Sequence, residues 1–134
     1  MLTIGICDDR SLCRQLLQAF IRLYEEETGI IFDIHQFDSG EALLNELNRH
    51  ALVLDLLFLD NSMKNLTGLE TAQRIRQSDS MPTCGIVFVT ADDEHEQFMT
   101  AQPLHVISKP ATRECINTIL DKVLAERGHC DRIL

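Results

Sequence analysis

The chain has 134 residues, enough for one domain and for a core that needs no disulfide or metal staple. Hydrophobic residues make up 45% and charged residues 25%, which excludes disordered, collagen-like and low-complexity classes. The net charge of −9 argues against nucleic-acid binding by this surface and favours a cation or a basic partner.

Short apolar runs alternate with amphipathic stretches along the chain. The run 2–7 reads as a strand ending at Asp8 and Asp9. Leu12, Leu16, Ala19, Phe20 and Leu23 recur at helical spacing, predicting a helix over 10–28. Gly29 stops it. Residues 30–37 form the second strand candidate. Asp38-Ser39-Gly40-Glu41 follows, with an acid three places after a capping residue, and Leu43, Leu44 and Leu47 give the next helix its apolar side.

Leu56-Leu57-Phe58-Leu59 is apolar without alternation, as in a strand covered on both faces. Thr67-Gly68-Leu69-Glu70 reads as a capping box opening a helix with Leu69, Ala72 and Ile75 inward, and Met81-Pro82 breaks it. Residues 85–89 form a fourth covered strand. Residues 92–101 form a weak helix, with Phe98 and Met99 fitting an exposed segment. A short fifth strand, 105–107, and a helix marked by Ile116, Ile119, Leu120 and Val123 complete the chain. The order βαβαβαβαβα predicts a doubly wound α/β fold: a five-stranded parallel sheet, order 2-1-3-4-5, between two helical layers. A domain over 1–127 and a polar tail over 128–134 are expected.

No apolar run approaches the ~18 residues of a membrane span. The amino terminus lacks the basic region of a signal peptide, so a cytoplasmic protein is expected. The five cysteines, at 7, 13, 84, 115 and 130, are odd in number and lack C-x-x-C spacing. They read as reduced core thiols rather than disulfides or zinc ligands. His35, His50, His95, His105 and His129 show no metal-ligand spacing.

In an open α/β sheet the site lies beyond the carboxyl ends of the strands. Asp8 and Asp9 follow the first strand, Asp60 the third, Thr90 the fourth and Lys109 the fifth. Asp55 precedes its strand and falls at the opposite edge. Three converging carboxylates repel one another, and a divalent cation such as Mg²⁺ relieves the conflict. An ammonium beside that cation suits a phosphoryl group, which a carboxylate can accept as an acyl phosphate. No Walker-type loop or nucleophile elbow is present. Aspartyl-phosphate hydrolases of related fold carry D-x-D after the first strand, where this chain has Asp8-Asp9-Arg10.

These residues together resemble the receiver domains of bacterial two-component response regulators, over nearly the whole chain. The resemblance implies that Asp8, Asp9, Asp60 and the backbone carbonyl of Ser62 hold Mg²⁺ and that Asp60 is the phosphoacceptor. Thr90-Ala91 matches the switch hydroxyl and its small neighbour, and Lys109 matches the phosphoryl-binding lysine. Met63, Gly68 and Pro110 match structural positions of the site, with a cis Lys109–Pro110 bond. Phe37-Asp38-Ser39-Gly40-Glu41 and 87–91 look like receivers that precede LytTR-type DNA-binding domains.

Lys64 replaces the usual proline after Met63, and Val106 replaces the usual switch aromatic. The implied partners are a sensor histidine kinase and a dimer or effector at the fourth helix, fifth strand and fifth helix, with no nucleic-acid or membrane contact by this domain. The implied output is transcription control through a domain absent from this chain. Two rivals stay open: a constitutive, phosphorylation-independent interaction module, and a Mg²⁺-dependent phosphohydrolase.

Overall fold

The computed structural model describes residues 1–49, 52–78, 84–91 and 96–132, with side chains placed through residue 126. Five strands form one parallel sheet in the order β2-β1-β3-β4-β5: β1 Thr3–Cys7, β2 Asp33–Phe37, β3 Leu56–Asp60, β4 Gly85–Thr90 and β5 His105–Ser108. Four α-helices connect and flank them: α1 Ser11–Thr28, α2 Gly40–Asn48, α3 Gly68–Gln77 and α4 Arg113–Arg132. A 3-10 segment, Glu96–Ala101, supplies the fifth helical connection.

Each central strand contributes to two cores because successive side chains point to opposite faces. Ile4, Ile6, Leu56, Phe58, Val87 and Val89 pack with α1 and α4. Cys7, Leu57, Leu59, Ile86 and Phe88 pack with α2, α3 and the 3-10 segment. All five residues of β3 are buried. This explains its unbroken apolar run.

The structure adds to some sequence expectations and corrects others. In α1 the inward residues are Leu17, Ile21 and Tyr24, whereas Leu12 is 77% exposed and Leu16, Ala19 and Leu23 also face outward. Phe20 is half-buried against the core. Two apolar stripes of the same period run along this helix. The sheet sets which one turns inward. The second strand begins at Asp33, three residues later than expected. The cap of α2 is Ser39, whose Oγ accepts from Ala42 N at 3.0 Å, so Glu41 falls in the first turn without closing a capping box.

The weak fourth helix is the 3-10 segment, and Phe98 is fully buried rather than exposed. Three residues per turn bring Phe98 and Ala101 to one side, and the Phe98 ring lies 4.5 Å from that of Phe88. Met99 is exposed as expected. Other readings hold: Gly29 ends α1 in a left-handed conformation at φ 76°, and Thr67 and Glu70 form the capping box of α3. Ile116, Ile119, Leu120 and Val123 are all buried. The Met81-Pro82 break and residues 92–95 lie outside the described residues. The backbone of α4 continues as helix to Arg132, into the segment read as a tail.

Candidate functional site

Asp8 lies one residue past β1, where α1 has not yet begun. Its Oδ1 accepts from Arg10 N at 2.9 Å, and its carbonyl accepts from Arg14 Nη1 at 2.7 Å. This local turn replaces the side-chain cap that α1 lacks. Asp60 is the last residue of β3, paired in register with Val89, and is 2% exposed. Thr90 ends β4 and is buried, and its carbonyl accepts from Lys109 N at 2.8 Å. That bond brings the residue after β5 to the same edge. The five expected residues Asp8, Asp9, Asp60, Thr90 and Lys109 thus occupy one end of the sheet.

One carboxylate oxygen from each of Asp8, Asp9 and Asp60 lies within 4.8 Å of the others. Lys109 Nζ stands 2.6 Å from Asp60 Oδ1 as an ion pair. The ammonium approaches off the direction of a hydrogen bond, so neither Asp60 oxygen accepts one among the described residues. A buried carboxylate with unused lone pairs is costly unless another cation or donor meets it. Burial raises the Asp8 carboxyl above its ordinary value. The Arg10 amide opposes that shift, and the Asp60 charge adds to it. A set of crowded, under-bonded carboxylate oxygens fits a hard divalent cation such as Mg²⁺.

The loop from β3 to α3 is anchored closely below the carboxylates. A Cβ on Gly68 would lie 2.4 Å from the Asp60 carbonyl oxygen, so only glycine allows α3 to start this near the strand. Met63 is buried, and its sulfur accepts from Cys7 Sγ at 3.7 Å. Burial and the charges of Asp8 and Asp60 push the Cys7 thiol up to about 12, so it remains protonated at neutral pH. Ser62 and Ala91 are exposed beside the site. The Lys109–Pro110 peptide bond is cis.

Residues expected to lie away from the site do so. Asp55 Oδ2 accepts from Thr3 N at 2.9 Å, at the opposite edge of the sheet. His35 pairs with Asp33 at 3.0 Å on the edge strand, and His105 is exposed. His50 and His95 fall outside the described residues, as does the His129 side chain. Cys7 and Cys84 are buried, Cys13 and Cys115 are half-buried, and no disulfide links any of them. Val106 is half-buried, in register with Phe88 and packed against the core cluster that holds Phe88 and Phe98. A groove of about 1030 Å³ lies between β2 and α2, lined by residues such as Arg14, His35 and Arg49. None of the three carboxylate residues lines it, although Arg14 and Phe37 in its wall bond the Asp8 backbone. A smaller apolar cleft, about 350 Å³, opens beside Asp8 and Lys109, where Cys13, Leu16, Pro110 and Ala111 meet.

Sequence reasoning missed Asn61. Its side chain accepts from Leu69 N at 3.0 Å, and its backbone bonds both β4 and α3. The only available signal was an amide residue directly after the strand-ending acid. It also missed Glu25, buried on α1, which accepts from Phe32 N at 2.7 Å and pairs with Arg22 at 2.7 Å. That network holds the turn into β2 and has no part in the carboxylate site.

The model of the response regulator receiver domain matches residues 4–121. The sensory transduction protein LytR of Staphylococcus epidermidis is 33% identical over 122 residues, 88% of this chain and 44% of that protein. An uncharacterized response regulatory protein of Vibrio cholerae is 30% identical over 69% of this chain and 33% of its own length. The chain therefore spans less than half the length of these curated relatives. Among solved structures, the response regulatory domain of mrkE from Klebsiella pneumoniae has a TM-score of 0.79 at 28% identity, covering 93% of this chain and 97% of that one. The chemotaxis protein CheY4 of Vibrio cholerae matches in fold, with a TM-score of 0.79 at 17% identity over 92% of this chain and 99% of that one. The likeness to LytR agrees with the LytTR-associated resemblance in the sequence. The chain belongs to the response regulator receiver domain family of two-component signalling.

Proposed function

We propose that this domain accepts a phosphoryl group on Asp60 from the phosphohistidine of a sensor histidine kinase. The observation that carries the reading is the Asp60 carboxylate: buried, free of hydrogen bonds among the described residues, and 2.6 Å from the Lys109 ammonium. One Asp60 oxygen attacks phosphorus, the P–N bond to the imidazole breaks, and the departing ring keeps that electron pair and takes up a proton. Lys109 neutralises charge on the transferred group, and the Thr90 hydroxyl donates to one of its oxygens, with Ala91 leaving room beside it. Asp8, Asp9, Asp60 and the Ser62 carbonyl would hold Mg²⁺, which supplies positive charge to the phosphoryl oxygens when bound.

The transferred group adds a charge of about −1.5 to −2 at neutral pH beside Thr90 and Lys109. The response is a changed interaction surface on the 3-10 segment, β5 and α4. Its partner there is a second copy or an effector domain that controls transcription. The reading is of a signalling domain that turns over its own acyl phosphate, in the cytoplasm. No described helix is long and apolar enough to cross a membrane.

The test is intact-mass measurement after incubation with Mg²⁺ and a small acyl phosphate. One phosphoryl adduct is expected in the natural chain and none in Asp60→Asn. An adduct that persists in the variant would remove Asp60 from the acceptor role. A folded protein that takes no adduct at any Mg²⁺ concentration would instead favour the constitutive interaction module. Turnover of external phosphate esters beyond one equivalent would favour the phosphohydrolase.

A further inference from the structure

We propose that Asn61 is a positioning residue that holds the β3–α3 loop in the shape its cation site needs. The inference rests on the Mg²⁺-dependent reading above. Asn61 commits its backbone N–H, its backbone carbonyl and its side-chain oxygen to two other elements. Its backbone N–H donates to Val89 O at 3.3 Å, and its carbonyl accepts from Gly68 N at 3.3 Å. Its side-chain Oδ1 accepts from Leu69 N at 3.0 Å. The loop over 62–67 therefore leaves from Asn61 and returns to it, closed at its neck by two hydrogen bonds. Closing a loop at its neck removes most of its conformations.

Inside the closed loop, Met63 is a second anchor, buried against Cys7. Ser62 stands between these two anchors, two residues after Asp60. Lys64 and Asn65 are exposed and add no burial to the loop. Leu66 is also buried, against Gly40 of α2, so the loop is restrained by the Asn61 neck and by the two side chains Met63 and Leu66. The Gly68 backbone, pressed against the Asp60 carbonyl, lets the neck close this tightly.

The bond to Leu69 is separate from the capping of α3. Thr67 Oγ1 accepts from Glu70 N, and Glu70 Oε1 accepts from Thr67 N, so the capping box is complete without Asn61. This separation allows a decisive comparison. Outer residues that orient ligands typically affect metal affinity by about tenfold or more when removed.

Mg²⁺ affinity is measured by calorimetric titration of the natural chain, Asn61→Leu and Thr67→Ala. Leucine keeps the size of Asn61 and removes its acceptor. Alanine at 67 removes the helix cap and leaves the neck intact. Asn61→Leu is expected to weaken Mg²⁺ binding by about tenfold. Thr67→Ala is expected to lower the melting temperature by a few degrees while binding Mg²⁺ as the natural chain does. Asn61→Ser, with a shorter acceptor and no added apolar group, is expected to weaken binding in the same direction and serves if the leucine variant does not fold.

Natural affinity in the Asn61 variants would overturn the inference, as would an equal loss in Thr67→Ala. Either result leaves the phosphoacceptor reading standing. A natural chain that binds no Mg²⁺ would overturn that reading and the inference together.

Discussion

Burial raises the Asp8 carboxyl above the ordinary carboxylate range, with the Arg10 amide pulling the other way and the Asp60 charge pushing further up. The folded state therefore holds the Asp8 proton more tightly than the unfolded chain does. Stability falls as pH rises from the ordinary carboxylate value through the raised one, and the full penalty is present at neutral pH. Asp8→Asn removes the charge and keeps an oxygen for the Arg10 amide. It is expected to stabilise the Mg²⁺-free protein at pH 7, with the gain shrinking near pH 4. Urea unfolding at the two pH values checks this, and equal or lower stability of the variant at pH 7 would refute it. At this scale the candidate site was largely legible: each of Asp8, Asp60, Thr90 and Lys109 closes or follows a strand that the residue pattern located. Asn61 was not legible, because its role depends on a hydrogen bond to a helix eight residues further on.

At the scale of elements, periodicity located the helices but did not always orient them. Leu12, Leu16, Ala19 and Leu23 have the spacing of an inward stripe, yet Leu17, Ile21 and Tyr24 are the residues that α1 buries. The Tyr24 hydroxyl adds a polar tie, donating to Asp121 Oδ1 on α4 at 2.6 Å. The 3-10 segment shows the converse case. It has few apolar residues, so its sequence looks solvent-exposed, but Phe98 and Ala101 are both fully buried. Arg76 on α3 also holds it, with Nε donating to Ala101 O at 2.8 Å. Phe98→Ala removes a complete ring from this packing and is expected to cost about 3 kcal/mol or more, measured by urea unfolding. Met99→Ala, at an exposed position, is expected to change stability by less than about 0.5 kcal/mol. A loss below about 1 kcal/mol in Phe98→Ala would show that the ring contributes little to the core.

Across the whole molecule, the sheet is graded from centre to edge. The four carboxyl-terminal residues of β1, all of β3 and five of the six residues of β4 are buried, whereas β2 buries only Phe37 and β5 only Ile107. Native-state hydrogen exchange is expected to be slowest in β3 and its two neighbours and faster in β2 and β5. Protection of β2 equal to that of β3 would contradict this gradient.

The strand order, the two-layered core and the gathering of acids at one edge were determined by the sequence itself. They follow from local periodicity, β-strand alternation and the handedness of parallel crossovers, all of which act over short stretches of chain. The inward face of α1, the burial of Phe98, the Lys109–Asp60 ion pair and the Asn61 neck were decided only by the tertiary structure. Each depends on a distance between residues that lie apart in the chain, and periodicity within one segment carries no information about such a distance.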